Sequence, residues 1–309
     1  MRKNSVSYQN LKWGYIFIAP CIIGLLVFNL GPMLFSLMAS FTEWDMITPM
    51  KFVGLKNFKQ IFTTAIAAKS IQVTFYYALL SVPLITLCTF LTAILLNSSI
   101  KGISIFRTII YIPSIVPIVA SSALWLYIFN PMFGLLNSIA RALSLPTSNY
   151  IFSPTGAVPW LSVMAVWMAG NTVVIYLAGL QGISKDLYEA ADLDGANAFQ
   201  SLIHITVPMM TPIIFYNMLM ALISSMQTFT QVYMMTNGGP ANATLFMSLY
   251  LYNEAFKYQH MGYASAVSWI LFIFIAIITA VVFATSGNWV FYENAGSKKK
   301  KKKEALNNG

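Results

Sequence analysis

The chain alternates long stretches without ionisable side chains and shorter polar segments. A helix that crosses the hydrocarbon core of a bilayer needs about 20 mostly apolar residues, and six of the uncharged stretches are long enough to contain one. The pattern therefore predicts an all-α, polytopic membrane protein with six transmembrane helices. The stretches are 13–42, 70–100, 108–140, part of 142–184, 205–253 and 261–292, and the predicted helices lie near 13–39, 70–96, 108–129, 159–180, 207–235 and 263–287.

Composition supports a bilayer as the solvent of this chain. Hydrophobic residues occupy 58% of the 309 positions and charged residues only 9%, whereas charged residues make up about a quarter of a soluble globular protein. The excess of apolar and aromatic side chains excludes a disordered chain. The two cysteines, Cys21 and Cys88, each lie inside an apolar run, which excludes a disulfide framework.

The basic residues predict the orientation, because segments rich in Lys and Arg stay on the cytoplasmic side. With both termini cytoplasmic, the inner segments hold 12 Lys and Arg residues and the outer segments hold 6. Six of the inner ones form the run Lys298–Lys303, which we expect to hold anionic lipid rather than nucleic acid. The predicted domains are a cytoplasmic segment 1–12, a six-helix permease domain 13–287 and a Lys-rich cytoplasmic tail 288–309.

Prolines and charges refine this picture. Pro83, Pro113 and Pro117 lie inside apolar runs and are expected to kink helices, whereas Pro208 is expected to begin the fifth helix. Every Asp, Glu, Lys, Arg and His lies outside the predicted helices, so a proton relay or a charged pore is not indicated. The sequence also lacks a nucleotide-binding Gly-rich loop and any catalytic or metal-ligating cluster, so uphill transport would need energy from another subunit.

The loop 181–206 between the fourth and fifth predicted helices is the one internal cytoplasmic segment with a docking pattern. Ser184 can cap a short helix that carries Asp186 and Glu189 near its positive end. Gly195 can then supply a sharp turn. A second short helix, 198–205, is expected before the chain enters the membrane at Pro208, which makes a helix-turn-helix on the membrane surface.

This loop carries a family resemblance. Glu189-Ala190-Ala191, Gly195, Ile205 and Val207-Pro208 resemble the Glu-Ala-Ala loop of permease subunits of binding-protein-dependent ATP-binding-cassette (ABC) importers, with Val207 where leucine is usual. Three further stretches resemble the sugar-permease branch of the MalF type: Phe52-Val53-Gly54-Leu55-Lys56-Asn57-Phe58, Thr236-Asn237-Gly238-Gly239-Pro240 and Tyr263-Ala264-Ser265-Ala266.

The resemblance implies the type I ABC importer permease fold and a coupling role for Glu189, Ala190, Ala191, Asp194 and Gly195. It also implies a second, homologous permease, two copies of an ATPase subunit that hold ATP and Mg²⁺, and an external solute-binding protein. This chain would then be a transport subunit in the cell membrane rather than an enzyme. The alternative for Glu189 is a helix-start carboxylate worth about 0.3–1 kcal/mol through the helix dipole.

A neutral sugar would need hydroxyl and amide groups for its O–H groups and an aromatic face for its C–H surface. The fifth stretch offers Ser225 and Thr228 at helical spacing, and the fourth offers Trp167 and Asn171, four residues apart. These four positions resemble the sugar-contacting positions of the maltose permease, whereas Ala221 and Met164 match positions that are polar there. The alternative is that the polar side chains join helices to one another, at about 0.6 kcal/mol each.

The predicted function is a permease that takes up a carbohydrate, most simply an oligosaccharide, through an ATP-driven importer. Three alternatives remain open at this point: an importer of another polar solute such as glycerol-phosphate, a facilitator that works alone, and a membrane-embedded enzyme or scaffold. An anionic solute would need basic groups in the cavity, and the predicted helices contain none.

Overall fold

The computed structural model describes residues 8–98, 100–287 and 289–291, with side chains from residue 13 onward. The lysine run and most of the predicted terminal segments 1–12 and 288–309 lie outside the described residues. Almost all of the described secondary structure is helical. The α-helices are α1 (Tyr8–Gly24), α2 (Gly31–Ser40), α3 (Lys56–Thr63), α4 (Ala65–Leu96), α5 (Ile103–Ile115), α6 (Ile118–Ile128), α7 (Leu135–Ala142), α8 (Ala157–Met168), α9 (Gly170–Gln181), α10 (Lys185–Leu193), α11 (Ala198–Ser201), α12 (Val207–Met226), α13 (Thr230–Met235), α14 (Met247–Tyr252) and α15 (Met261–Ser286).

Short elements of other kinds connect several of these helices. Strands β1 (Thr42–Glu43) and β2 (Lys51–Phe52) pair antiparallel, with Thr42 opposite Phe52 and Glu43 opposite Lys51. One 3₁₀ turn covers Tyr150–Phe152, and π-helical turns cover Leu25–Leu30, Leu202–Thr206 and Asn253–Lys257.

The chain forms two compact units. Unit 1 comprises the chain up to Thr64 together with Leu251–Ile270, and unit 2 comprises Ala65–Tyr250 together with the chain from Leu271 onward. In unit 2, α4 packs against α8, α9 and α12. The Phe90 and Tyr176 rings meet edge to face there, with centroids 5.3 Å apart, inside a buried apolar cluster that also holds Ala93, Leu96, Val173, Leu177, Leu180, Ile183 and Met210.

Four helical stretches are long and apolar enough to cross a membrane: Trp13–Ser40, Ala65–Leu96, Ala198–Met226 and Met261–Ser286. Two bent helix pairs raise the number to six if each pair crosses once. Each of the six predicted helices overlaps one of these stretches or pairs, so the all-α fold predicted from the hydrophobic pattern is confirmed.

The third predicted helix, 108–129, is not continuous. α5 and α6 meet at an angle of 103°, and the break falls at Val116 and Pro117, whose backbones are extended. Proline pushes the residue before it away from the helical region, so Pro117 breaks the helix instead of only kinking it. Pro83 and Pro113, by contrast, lie inside α4 and α5 without ending them.

The fourth predicted helix is also broken, by 52° between α8 and α9, although this stretch contains no proline at the break. Gly170 begins α9 at a close approach to α5, where a Cβ atom would overlap the Ile110 carbonyl oxygen. The sequence pattern did not reveal this break. The close contact beside it joins Gly170 to a residue 60 positions earlier in the chain, which periodicity does not detect.

The fifth predicted helix ends too late. α12 begins at Val207 with Pro208 in its first positions, which confirms the predicted start, although the helical stretch as a whole runs without a break from Ala198 to Met226. A π-helical turn at Leu202–Thr206 leads into α12, and Pro208 lies within that helix's first turn, where a missing N–H is tolerated. The helix stops at Met226, before the predicted residue 235, and α13 follows after a short break.

The prediction that ionisable residues lie outside the helices is wrong at the helix ends, because several helices extend beyond their predicted limits. Lys69, Arg107 and His204 all lie within helical stretches. Arg107 has a structural partner there: its Nε and Nη2 atoms donate to the Leu96 carbonyl oxygen at 3.2 and 2.8 Å. A cation at the last carbonyls of α4 satisfies an acceptor that the helix itself leaves open.

The Gly170 contact generates a stability prediction. We expect Gly170→Ala to lower the unfolding temperature of the purified protein, because the new methyl group must displace the α5 backbone, at a cost of about 1–3 kcal/mol. The matched control is Gly14→Ala, since nothing lies within 4 Å of a Cβ atom at Gly14 in α1. Thermal unfolding followed by fluorescence-detected size exclusion measures both, and equal unfolding temperatures would contradict the contact.

Candidate functional site

The loop that carries the Glu-Ala-Ala pattern folds as the sequence predicts in its first half. α10 begins after Ser184, whose Oγ atom accepts from the Asp186 backbone N–H at 3.3 Å. The helix ends at Gly195, which adopts a left-handed conformation with φ of +79°, while the Ala196 N–H closes the turn onto the Ala191 carbonyl at 2.9 Å. The predicted cap and the predicted glycine turn are confirmed.

A capping box that was not predicted starts the second helix of the loop. Asn197 Oδ1 accepts from the Gln200 N–H at 2.9 Å, and Gln200 Oε1 accepts from the Asn197 N–H at 2.8 Å. The spacing of a cap residue and a Gln three positions later is the sequence signal that identifies such a box. The Tyr188 hydroxyl also lies 2.8 Å from Thr206 Oγ1, so a hydrogen bond joins α10 to the second helix.

The predicted coupling residues all lie on this loop. Glu189 is exposed, and the structure describes no ion pair for it among residues 13–98, 100–287 and 289–291. Asp194 and Gly195 line a notch of about 300 Å³ between the two helices of the loop, and His204 lines its other side. Apolar side chains project into solvent around this notch, with Leu193 91% exposed and Phe199 68% exposed.

A cavity of about 370 Å³ lies inside unit 2. Three of the four predicted sugar-contacting residues, Asn171, Ser225 and Thr228, line it together with Ala221. Ser225 and Thr228, predicted at helical spacing, therefore line one surface. Lining residues beyond the four predicted sugar-contacting positions include Tyr77, Tyr216, Asn217, Ser224 and Gln231.

Trp167, the fourth predicted residue, lies elsewhere. It lines a separate cavity of about 280 Å³ with Cys88, Pro113 and Gly170, and its ring meets the Trp125 ring edge to face at 5.6 Å. The spacing of four residues between Trp167 and Asn171 places side chains on one face only within a continuous helix. The 52° break between α8 and α9 separates them.

The unit 2 cavity forms where helices are interrupted. Ile118 lies at the start of α6, Ala169 at the break between α8 and α9, and Thr228 just beyond the end of α12. Non-helical backbone at membrane depth is tolerated where it is buried in protein or lines a cavity. The three breaks therefore bring polar side chains and exposed backbone to one place.

The hydroxyl and amide groups of this cavity can contact a polar ligand. The Ser225 hydroxyl donates to the Leu222 carbonyl at 2.8 Å, and the Thr228 hydroxyl donates to the Ser224 carbonyl at 3.1 Å. Each oxygen keeps lone pairs that can accept from a ligand. Gln231 has a structural role, because its Nε2 atom donates to the Leu161 carbonyl at 3.2 Å. All the residues that line the cavity are uncharged at neutral pH, so it favours a neutral polar solute.

Comparison with known proteins identifies the family to which this architecture belongs. Residues 85–291 match the family model described as binding-protein-dependent transport system inner membrane component. The chain is 41% identical to the probable ABC transporter permease YesP of Bacillus subtilis, over 95% of this chain and 96% of that protein. It is 31% identical to the trehalose/maltose permease MalF of Thermococcus litoralis, over 90% and 95%.

Two further matches show how far the similarity extends. The arabinooligosaccharide permease AraP of Bacillus subtilis is 31% identical over 91% of each chain. Among solved structures, a chain of a bacterial alginate ABC transporter, in complex with a periplasmic protein that holds an alginate pentasaccharide, aligns with a TM-score of 0.81 at 22% identity. That alignment covers 91% of this chain and 96% of the other, and it shows that the two chains share a fold.

The capping box generates a prediction about the loop. We expect Asn197→Ala to increase amide hydrogen exchange across 198–205, because an N-cap contributes about 1 kcal/mol, which corresponds to roughly a fivefold change in an opening equilibrium. Asn197→Asp is the matched control, since it keeps the acceptor oxygen. Mass spectrometry of the exchanged protein measures both, and equal exchange in the two variants would show that the box does not hold the loop.

Proposed function

The chain belongs to the family of binding-protein-dependent transport system inner membrane components, and on that premise we propose that it forms the path for a carbohydrate through an ATP-driven importer. It is a multi-pass membrane protein of the transport-permease type. The observation that carries the carbohydrate assignment is the uncharged unit 2 cavity, which is lined by hydroxyl, amide and aromatic groups. The names of the relatives support it, since they include permeases for trehalose/maltose and for arabinooligosaccharides.

Sugar recognition in the cavity follows from its donors, acceptors and rings. Asn171, Ser225 and Thr228 hydrogen-bond the hydroxyl groups of the sugar, and the Tyr216 ring, which lines the same cavity and is 51% exposed, offers an apolar face to its C–H surface. These contacts are individually modest, about 0.5–1.5 kcal/mol for each hydrogen bond. Weak binding suits a permease, because the solute must leave the cavity again on the cytoplasmic side.

The loop 181–206 transmits the motion that releases the solute. The helical stretch Ala198–Met226 carries Phe199 at the loop and reaches Ser225 at the cavity without interruption. At 1.5 Å per residue it spans about 40 Å. A displacement of the loop therefore moves the cavity wall through one helix, and the Tyr188 to Thr206 hydrogen bond couples α10 to the same helix.

The partners follow from this mechanism. Two ATPase subunits, which hold ATP and Mg²⁺, contact Glu189, Ala190, Ala191, Asp194 and Gly195, and their closure on ATP shifts the population of inward- and outward-facing states. A second, homologous permease completes the path, since the cavity of this chain is partly open. An external solute-binding protein delivers the sugar. Both termini are cytoplasmic, which places the loop beside the ATPases.

Two variants of the loop test the coupling role. We expect Gly195→Pro and Glu189→Lys to abolish solute uptake while ATP hydrolysis continues and the chain remains in the membrane. Proline fixes φ near −65°, whereas Gly195 has φ of +79°, and lysine reverses the charge at the predicted ATPase contact. Gly195→Asn is the control, because asparagine tolerates the left-handed region. Uptake in proteoliposomes that contain the whole complex measures all three, and normal uptake by the proline and lysine variants would defeat the assignment.

One variant of the cavity tests sugar contact. We expect Thr228→Val to weaken the apparent affinity of transport for its solute about 5- to 150-fold, because a ligand hydroxyl would lose its acceptor, at about 1–3 kcal/mol. Thr108→Val is the matched control. The Thr108 hydroxyl likewise donates to a carbonyl four residues earlier, at 3.0 Å, but Thr108 lies outside the unit 2 cavity. ATPase stimulation by the loaded binding protein, screened over oligosaccharides and glycerol-phosphate, provides the readout. Transport by this chain alone, without an ATPase, would favour the facilitator.

A further inference from the structure

Unit 1 contains a cavity of its own, which the proposed function does not use. Its volume is about 520 Å³, within the range of small-molecule sites. It lies between the β1–β2 hairpin, α3 and the segment that precedes α15. We call it the outer cleft, because the proposed topology places these segments outside the cell. Its walls include Trp44, Asp45, Asn57, Tyr258, Gln259 and His260, together with the charged side chains of Glu43, Lys51 and Lys56. Lys56 and Glu43 form an exposed ion pair at 3.2 Å.

The floor of the outer cleft is held by Asn57. This residue comes from the Phe52–Phe58 motif and is only 6% exposed. Its Nδ2 atom donates to the Ser40 carbonyl at 2.9 Å and to the Thr42 carbonyl at 2.8 Å. Both amide hydrogens are therefore used to fix the hairpin onto the end of α2, and only Oδ1 can still accept from a ligand.

Asp45 supplies a fixed carboxylate at the rim. Its Oδ1 atom accepts from the Thr48 N–H at 2.7 Å, the Thr48 hydroxyl at 2.8 Å and the Ile47 N–H at 3.0 Å. The hydrogen bond from the Thr48 backbone lowers the pKa of Asp45 below its ordinary value, so the group is ionised at neutral pH. These three bonds all reach Oδ1, which leaves Oδ2 as an acceptor in a defined position.

The opposite wall is held in an unusual backbone conformation. Gln259 has φ of +59°, which is rarely adopted by a residue that is not glycine and costs about 1–3 kcal/mol. The next residue, His260, is fixed twice by Glu254: its N–H donates to the Glu254 carbonyl at 2.7 Å, and its Nδ1 atom lies 2.9 Å from the Glu254 carboxylate. Strain of this kind concentrates at binding and catalytic sites.

We propose that the outer cleft is a carbohydrate-binding subsite that receives the sugar before it reaches the unit 2 cavity. The Trp44 and Tyr258 rings offer apolar faces to a pyranose or furanose ring. Asp45 Oδ2 and Asn57 Oδ1 accept from its hydroxyl groups, and the outer ring nitrogen of His260 can form a further hydrogen bond with them. The cleft is concave and fixed by hydrogen bonds, which suits a small polyol better than a flat protein surface.

Trp44 and Tyr258, the two aromatic residues proposed to contact the sugar ring, have well-defined neighbours. The Trp44 ring meets the Phe35 ring edge to face at 5.8 Å, which fixes the indole within the wall. The Lys257 ammonium lies 5.6 Å from the centre of the Tyr258 ring, so one face of this tyrosine is covered. Tyr258 is 51% exposed, and its removal leaves the rest of the cleft in place.

This inference rests on the proposed function, because it assumes a carbohydrate and an outward position. The test uses the complete importer in nanodiscs without its binding protein, with maltotriose, arabinotriose, xylotriose and cellotriose as probes. Saturation-transfer NMR and titration calorimetry measure direct binding. We expect at least one probe to bind, Trp44→Ala and Tyr258→Ala each to weaken that binding about tenfold or more, and Trp13→Ala, which removes an exposed tryptophan outside the cleft, to leave it unchanged.

Three results would overturn the subsite. Binding that depends on Thr228 and is indifferent to Trp44 and Tyr258 would place the sugar only in the unit 2 cavity. Loss of ATPase stimulation by the loaded binding protein, with direct sugar binding unchanged, would make the cleft a contact for that protein instead. If none of the four probes shows binding that depends on Trp44 or Tyr258, the outer cleft is not a sugar-binding subsite. ATPase stimulation of the same samples by the loaded binding protein shows separately whether the proposed function survives.

Discussion

Backbone hydrogen bonding in a bilayer is the constraint on which the rest of this structure depends. Because no water is available in the hydrocarbon core, every peptide group must find its partner inside the protein, and an unbroken helix is the simplest solution. Ala198–Met226 is such a helix, and it starts in a polar loop and ends at the unit 2 cavity. Its rigidity therefore follows from the apolar solvent. It allows one element to connect the loop proposed to contact a partner with the cavity proposed to contact a solute.

The breaks in the other helices are explained by the same need for hydrogen-bond partners. Val116 and Pro117 interrupt one pair of helices, and Ala169 interrupts another. Each break frees backbone groups that need a polar neighbour, and all of them lie beside the unit 2 cavity. The cavity is thus built from polar side chains and from the interruptions that make them accessible, without any charged group among its lining residues. A neutral solute loses less on entering such a site than an ion would.

Periodicity and spacing predicted what is local and missed what depends on distant contacts. The six apolar stretches, the Ser184 cap and the Gly195 turn all follow from residues within a few positions of one another. The break at Gly170 lies where α9 approaches the Ile110 carbonyl of another helix, and it separates Trp167 from the other predicted site residues. Ser225 and Thr228 were predicted from their helical spacing, and Asn171 from its spacing to Trp167, together with the family resemblance. The unpredicted break left Asn171 beside the cavity. The outer cleft was not predicted, because its walls come from residues 43–60 and 258–263, which only the folded chain brings together.

The most direct test of this account is a distance measurement along the Ala198–Met226 helix. Spin labels at Phe199 and Met220, both exposed, should lie about 30 Å apart in a straight helix. Cys21 and Cys88 would first be replaced by serine. Double electron–electron resonance on the complete importer, without nucleotide and with trapped ATP, should give the same Phe199 to Met220 distance in both states. The distance between a label at Phe199 and one at Leu124 in α6 should change. A change in the Phe199 to Met220 distance between the two states would mean that the helix bends, and that loop motion does not reach the cavity through it.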